Sequence, residues 1–427
     1  MSNALRENRW SAIARERNFL LFWAGQQCSF MGDGAYKVAL AWLVYRTTGS
    51  SAAMGLILAL NSIPLIVGTS AGGLVADRFP RKFVIVAADG IAALTVLLLG
   101  AAEANGLGSL PVIAAVAFIL GLAQALRSPS SYAIVPDLVP AQQLPQANSL
   151  FTVGGSLAGM IGPALGGILV AGGGITTAFI ADGASFAVAV LATLVIKPTS
   201  TARHDTVTSG KIGAGLRYVC RRRWLLAIMV VSALVNFAAL SPYAVLIPRQ
   251  VMLAHQGAAM LGLVYTVQGA AAVVSAIVIG SVWRQRASLW TMWLLAAGIG
   301  LGTLITGLAT WPLPLLLGAA VIGIGIGFSV LENTAIQHYV AREVMGRVYA
   351  VNTAVSYGPA PIGYLLAGIG GSALGIGSFL ILGGATTMAT VMMVGLWARG
   401  VPSADHPADA NGPVETHSQD DHSRRPR

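Results

Sequence analysis

Gly72-Gly73-Leu74-Val75-Ala76-Asp77-Arg78-Phe79-Pro80-Arg81-Lys82 is a short, charge-dense hinge between two stretches that carry almost no charge. The glycines before it let a neighbouring helix approach closely. Asp77 can accept from a helix N-terminus or an arginine, and Arg78, Arg81 and Lys82 hold the hinge on the cytoplasmic side of a bilayer. A charge run by itself can be a plain solvated turn. Its place between the second and third of about twelve apolar stretches favours a more specific reading.

Those stretches dominate the chain. Of 427 residues, 55% are hydrophobic and 10% charged, with a mean hydropathy of +0.72; soluble domains carry about 25% charged residues. Stretches of roughly 20 apolar residues suffice to cross a bilayer as helices. They fall at 19–45, 52–76, 83–102, 110–132, 148–171, 175–196, 225–247, 259–282, 289–309, 312–336, 347–369 and 373–397, here called spans one to twelve.

A net charge of +10 suggests nucleic acid as a partner until the charges are placed. All but four of the 26 lysines and arginines lie in the N-terminal arm, the even-numbered loops or the tail. The exceptions are Lys37, Arg46, Arg127 and Arg249. That asymmetry orients membrane helices. It predicts an even number of spans, both termini in the cytoplasm, a lipid bilayer as the surroundings and no nucleic-acid partner. Cys28 and Cys220 fall in a span and in a cytoplasmic loop, so no disulfide is expected. The six histidines lack metal-ligand spacing, and no G-x-x-x-x-G-K-[ST] loop is present. The expectation is therefore no metal, no cofactor and no enzymatic activity.

The chain divides into an arm (1–18), six spans (19–196), a polar and basic linker (197–224), six more spans (225–397) and a polar tail (398–427) expected to be disordered. Within the linker, Ile212, Leu216 and Val219 recur at helical spacing opposite basic residues. This fits an amphipathic helix on an anionic leaflet, with a plain linker as the alternative. The halves echo each other. Gly121-Leu122-Ala123-Gln124-Ala125-Leu126-Arg127 closes span four as Gly327-Phe328-Ser329-Val330-Leu331-Glu332 closes span ten, and Gly162-Pro163-Ala164 of span five returns as Gly358-Pro359-Ala360 of span eleven.

The hinge pattern G-G-x-x-x-D-R-x-x-R-K, in that place, resembles the signature loop of the major facilitator superfamily of secondary transporters. Phe19-Leu20-Leu21-Phe22-Trp23-Ala24-Gly25-Gln26-Gln27, Met31-Gly32-Asp33-Gly34 and Gln146-Ala147-Asn148-Ser149-Leu150 resemble its enterobactin and macrolide exporter branch. The resemblance implies an all-α membrane protein of twelve helices in two pseudo-symmetric six-helix bundles, with a site near the midplane. It implies a monomeric exporter of the bacterial inner membrane, exchanging a lipophilic, drug-like or siderophore-like molecule for protons. Uptake or facilitated diffusion of another solute is the alternative within transport; a non-transporting membrane sensor or scaffold is the alternative outside it. On this likeness Gly73, Asp77, Arg78, Arg81 and Lys82 form the gating motif. Gly162, Pro163, Gly166 and Gly167 match part of the antiporter motif of drug exporters, with Ala158 standing where another glycine is usual.

Ionisable groups within spans are costly and mark function by default. Asp33 is the candidate proton site. Lys37, one turn on, can pair with it at i, i+4, either to tune its protonation or as a self-neutralising structural pair. Arg127 and Glu332 occupy near-equivalent positions and either pair across the pseudo-two-fold axis in one state or snorkel to their interfaces. Asp182 is a second acidic candidate, and Asp89 reads as structural, near Arg78 and Arg81. The cavity is expected from spans one, four, seven and ten, with Gln26, Gln27, Tyr36, Asn236, Tyr243, Glu332 and Asn333 as polar contacts in an apolar chamber.

Overall fold

A computed structural model describes residues 12–197, 212–282 and 289–397; the side chains of 67, 69–78, 211–214, 281–289 and 342–343 lie outside that description. The arm before residue 12, the first part of the linker, the degraded second copy of the hinge and the tail therefore fall outside the described residues, as do the side chains of Gly73, Asp77 and Arg78.

The described residues are mostly helical and hold no strand. Eight helical segments are long and apolar enough to cross a membrane. One of them, Leu144–Val195, is double length: it is helical except at Gly174, where φ is +82° and ψ is 174°. Contacts with span one (Arg17–Thr48) show what this break does. Near Gly154 that helix meets Gln27, near Gly162 it meets Met31 and Gly34, and near Gly166 it meets Ala35. Beyond the break the order reverses, with Asp182 and Ser185 against Gly32 and Ala189 and Ala192 against Gly25. Spans five and six therefore run in opposite directions, and a left-handed residue without a Cβ turns the chain between them. With Arg17–Thr48, Ser51–Arg78 and the broken pair Arg342–Tyr357 and Ala360–Ala373, the helical record accommodates twelve spans.

Three spans are interrupted in their middle. Span seven, Arg223–Leu253, contains a π-turn at Val235–Leu240 ahead of Pro242. Span ten, Pro312–Tyr339, changes helix at Gly327. Span eleven changes helix at Gly358-Pro359, whereas its sequence counterpart Gly162-Pro163 lies in continuous helix. Such breaks free backbone groups and are tolerated where neighbouring helices or a cavity receive them.

Close packing follows the small residues. A Cβ on Gly162 would lie 3.0 Å from the Cα of Gly34, and one on Gly166 would lie 2.6 Å from the Cα of Ala35, which fixes span five on span one. The other side of the same helix meets the second half: a Cβ on Gly167 would lie 3.0 Å from both the Ala258 carbonyl and the Ala259 Cα of span eight. Spans two and eleven meet likewise, with Gly368 against Ser51 and Ala52, and Gly55 against the Tyr364 carbonyl. Tyr45 donates across the halves to the carbonyl of Val245. These cross-half contacts cluster at the end of the molecule that carries Gly49.

At the opposite end, Arg81 of the hinge donates to Asp137 at 3.1 Å and to the Ala133 carbonyl at 2.8 Å. Lys82 donates to the carbonyls of Leu194 and Ile196 at 2.8 and 2.9 Å, capping the last turn of span six. The described part of the linker forms a short helix with one buried face and an exposed Leu216. This helix, Ile212–Cys220, packs on protein: Val219 is buried with Leu225, Met229, Ile336 and Val348, and Gly215 lies against the backbone of Arg347.

Candidate functional site

Between the halves lies a chamber of about 870 Å³. Its walls are mainly apolar, from Leu40, Met54, Leu58, Ala92, Leu120 and Phe186 in the first half to Leu240, Ala272 and Val330 in the second. Mainly apolar walls with a few placed polar groups are the usual make-up of a small-molecule site. Spans one, four, seven and ten contribute as expected. Spans two, six, eight and eleven contribute too, through Asn61, Asp182, Tyr265, Gln268 and Tyr364.

The charged part of the chamber is built on Arg127. Its side chain is almost wholly buried, and it donates to Asp33 at 2.7 Å and to the hydroxyl of Ser29 at 3.1 Å. Asp89, fully buried, lies 3.6 Å from the same guanidinium and accepts from Gln26 at 3.0 Å. The rings of Phe30 and Phe186 sit 5.3 and 5.2 Å from the guanidinium carbon, so the cation is sandwiched as well as paired. One buried arginine thus serves two carboxylates of unequal access: the Asp33 side chain is 29% exposed and faces the chamber, the Asp89 side chain 0%. Removing either partner of such a pair strands a charge in low dielectric.

Several sequence-based assignments change here. Asp33 pairs with Arg127, and among the described residues no ion pair joins it to Lys37, which stands exposed on the chamber wall. Helical spacing allows the i, i+4 contact, but the planar, two-armed guanidinium reaches Asp33 from a neighbouring helix. Asp89 belongs to the Arg127 cluster rather than to Arg81, which is taken by Asp137. Gln26 and Gln27 do not reach the chamber: Gln26 is spent on Asp89, and Gln27 is buried against Gly154. Arg127 and Glu332 are not paired with each other. Glu332 accepts from Ser232 at 2.8 Å within the second half. Tyr36, Asn236, Tyr243 and Asn333 do line the chamber, as do Asp33, Lys37, Arg127 and Asp182. The partial antiporter motif is brought to the junction of spans one, five and eight, where Gly162 and Gly166 face span one and Gly167 faces span eight.

The sequence reading missed Tyr265, Gln268 and Tyr364. Tyr265 and Gln268 are three apart in an otherwise apolar span, and that polar stripe is a signal available in the sequence. Tyr364 carries no comparable mark.

An all-helical membrane protein with a mid-depth chamber shared by two halves, and a charge cluster on its wall, is built as a carrier rather than as an enzyme. The chain belongs to the Major Facilitator Superfamily, whose family model matches residues 22–364. The multidrug efflux pump Tap of Mycobacterium tuberculosis is 29% identical over 358 residues, covering 79% of this chain and 83% of Tap. The enterobactin exporter EntS of Citrobacter koseri is 27% identical over 351 residues, covering 80% and 82%. Among solved structures, the nucleoside transporter NupG superposes with a TM-score of 0.69 at 14% identity, over 89% of this chain and 99% of NupG. The chain is thus a multi-pass membrane transporter similar in sequence to efflux pumps.

Proposed function

We propose that this transporter is a secondary exporter of the bacterial inner membrane, moving a small lipophilic molecule outward in exchange for protons. The observation that carries the reading is Asp33: a carboxylate open to the chamber and held at 2.7 Å by a buried arginine. A proton arriving at Asp33 removes the charge that Arg127 is paired with, and Asp89, 3.6 Å away, is the partner left for the guanidinium. The chamber's ionisation is thereby tied to a local rearrangement of spans one, three and four. The likeness to Tap and EntS supports export as the direction, and the mainly apolar walls support a lipophilic cargo.

In this reading the halves at 19–196 and 225–397 rock as two bundles about the chamber, with both termini in the cytoplasm and one chain as the working unit. The basic hinge at Arg78, Arg81 and Lys82 then marks the cytoplasmic side, and the contacts at the Gly49 end close the outer side. Glu332 and Asp182 are further ionisable groups within the cycle, and Gly73 and Asp77 belong to the gating hinge.

The test is efflux from a pump-deficient host and exchange in proteoliposomes under an imposed pH gradient. Wild-type protein is expected to export a lipophilic dye only while the gradient stands. Asp33→Asn should abolish gradient-driven export while still inserting in the membrane. Export unaffected by an uncoupler, or full activity of the Asn variant, would remove proton exchange at Asp33 from the mechanism.

A further inference from the structure

The carboxyl group on the chamber wall that lacks a basic partner is not Asp33. Arg127 holds Asp33 at 2.7 Å and lies 3.6 Å from Asp89, so one cation already serves two carboxylates. Asp182, on span six, has no such partner. Among the described residues no basic group lies within 4.0 Å of it; Oδ1 has only the Ser185 hydroxyl at 3.5 Å, and Oδ2 has no hydrogen-bond partner. The residue is 1% exposed and still contributes to the chamber wall.

Span six reaches the chamber through a gap in span one. A Cβ on Gly32 would overlap both the Ser185 hydroxyl and Asp182 Oδ1, so the missing side chain leaves the space that the carboxyl group occupies, and a larger residue there would displace it. Two more side chains frame the opening. Tyr36, one turn on from Gly32, lies within electrostatic reach of Asp182 and carries a buried hydroxyl without a partner. Phe186, one turn on from Asp182, lines the same wall. A buried carboxyl group without a basic partner is costly to ionise alone, so a positively charged nitrogen seated beside it supplies the counter-charge that its carboxylate form needs, and the ring faces add attraction.

We propose that Asp182, admitted at Gly32, is the specificity-determining carboxylate of the chamber, anchoring a cationic nitrogen of the cargo beside Tyr36 and Phe186. The groups facing it are Asp33, Arg127 and Tyr36, with Lys37 further along span one. Lys37 is five residues from Gly32, about 140° around the helix, so its ammonium does not occupy the gap. This assignment rests on the chamber being the cargo site, and it separates cargo recognition at Asp182 from proton exchange at Asp33.

The experiment uses the full chain in nanodiscs and two fluorescent probes. One is a dansyl amide with a dimethylaminopropyl arm; the other is the same amide with the arm's nitrogen replaced by CH. Wild-type protein is expected to bind the amine at least tenfold more tightly than its neutral twin. Asp182→Asn should bring the ratio of the two affinities close to one, and Gly32→Ala, which keeps the carboxylate but fills the gap, should lower it in the same direction. Equal affinity of wild-type protein for both probes, or an unchanged ratio in a folded Asp182→Asn variant, overturns the assignment and leaves the chamber reading standing. Should the Asn variant not fold, the wild-type ratio and Gly32→Ala decide the matter. Failure of both probes to bind wild-type protein overturns the chamber reading, and this assignment with it.

Discussion

Arg127 is the residue on which the most rests. It is a single buried cation on span four, in contact with Asp33, Asp89, Ser29 and two aromatic rings contributed from spans one, three and six. Its removal leaves two carboxylates uncompensated inside the first half. Arg127→Ala is therefore expected to cost about 3–5 kcal/mol of stability. Thermal denaturation in detergent checks this, and a shift no larger than that of an exposed-site variant such as Arg221→Ala would show the cluster to be solvated. Arg127→Lys restores charge but not the two-armed reach, so partial recovery of stability with poor exchange is the expected result. Little of this was legible in the chain. Asp33, Arg127 and Asp182 stand out as ionisable residues in apolar spans, and that is enough to mark them. Which acid meets which base depends on how four helices rotate against one another, and a list of spacings along one helix is blind to that. Lys37 is the instructive case: i, i+4 spacing made it available to Asp33, and a residue on span four took the place. Gln26 erred for the same reason, since its polarity suggested the chamber while Asp89 was already waiting for it inside.

At the scale of the helix, the informative element is span five. Its small residues serve two faces at once, Gly162 and Gly166 toward span one and Gly167 toward span eight of the other half. Span one is held within its own bundle, while the span-eight contact must part and reform if the halves move. Gly167→Leu is expected to force the halves apart at the Gly49 end, since even a Cβ there lies 3.0 Å from the Ala258 carbonyl. Overpacking of this kind costs about 1–3 kcal/mol. The measurable outcome is raised labelling of a cysteine placed at Ser51, together with slowed exchange. Labelling at the wild-type level would mean that span eight yields to the larger side chain instead. Much at this scale could be read in advance. The expected gap at 172–174 coincides with the break at Gly174, and the hinge residues Arg81 and Lys82 do sit between spans two and three. The interruptions of spans seven and ten could not be read, because neither a π-turn nor a change of helix at one glycine alters the hydrophobic content of a span.

For the whole molecule, the distribution of cross-half contacts sets the state. Gly368 against Ala52, Gly55 against Tyr364 and Tyr45 bonded to the Val245 carbonyl all lie toward one end. A disulfide between Ala52→Cys and Gly368→Cys, in a background lacking Cys28 and Cys220, is expected to hold that end shut and stop exchange, with activity returning on reduction. Exchange that persists in the fully cross-linked protein would show that the cycle does not require those spans to separate.

The docking of Ile212–Cys220 on the start of span eleven has a practical consequence. Cys220 is exposed and its helix packs on the second half through Val219 and Gly215, whereas Cys28 is partly covered within span one. The natural protein therefore carries one readily reached thiol that travels with a single half. A spin label or dye attached there, with a second on an engineered site beside Asn18, reports the distance between the two halves and any change in it, without redesigning the transporter.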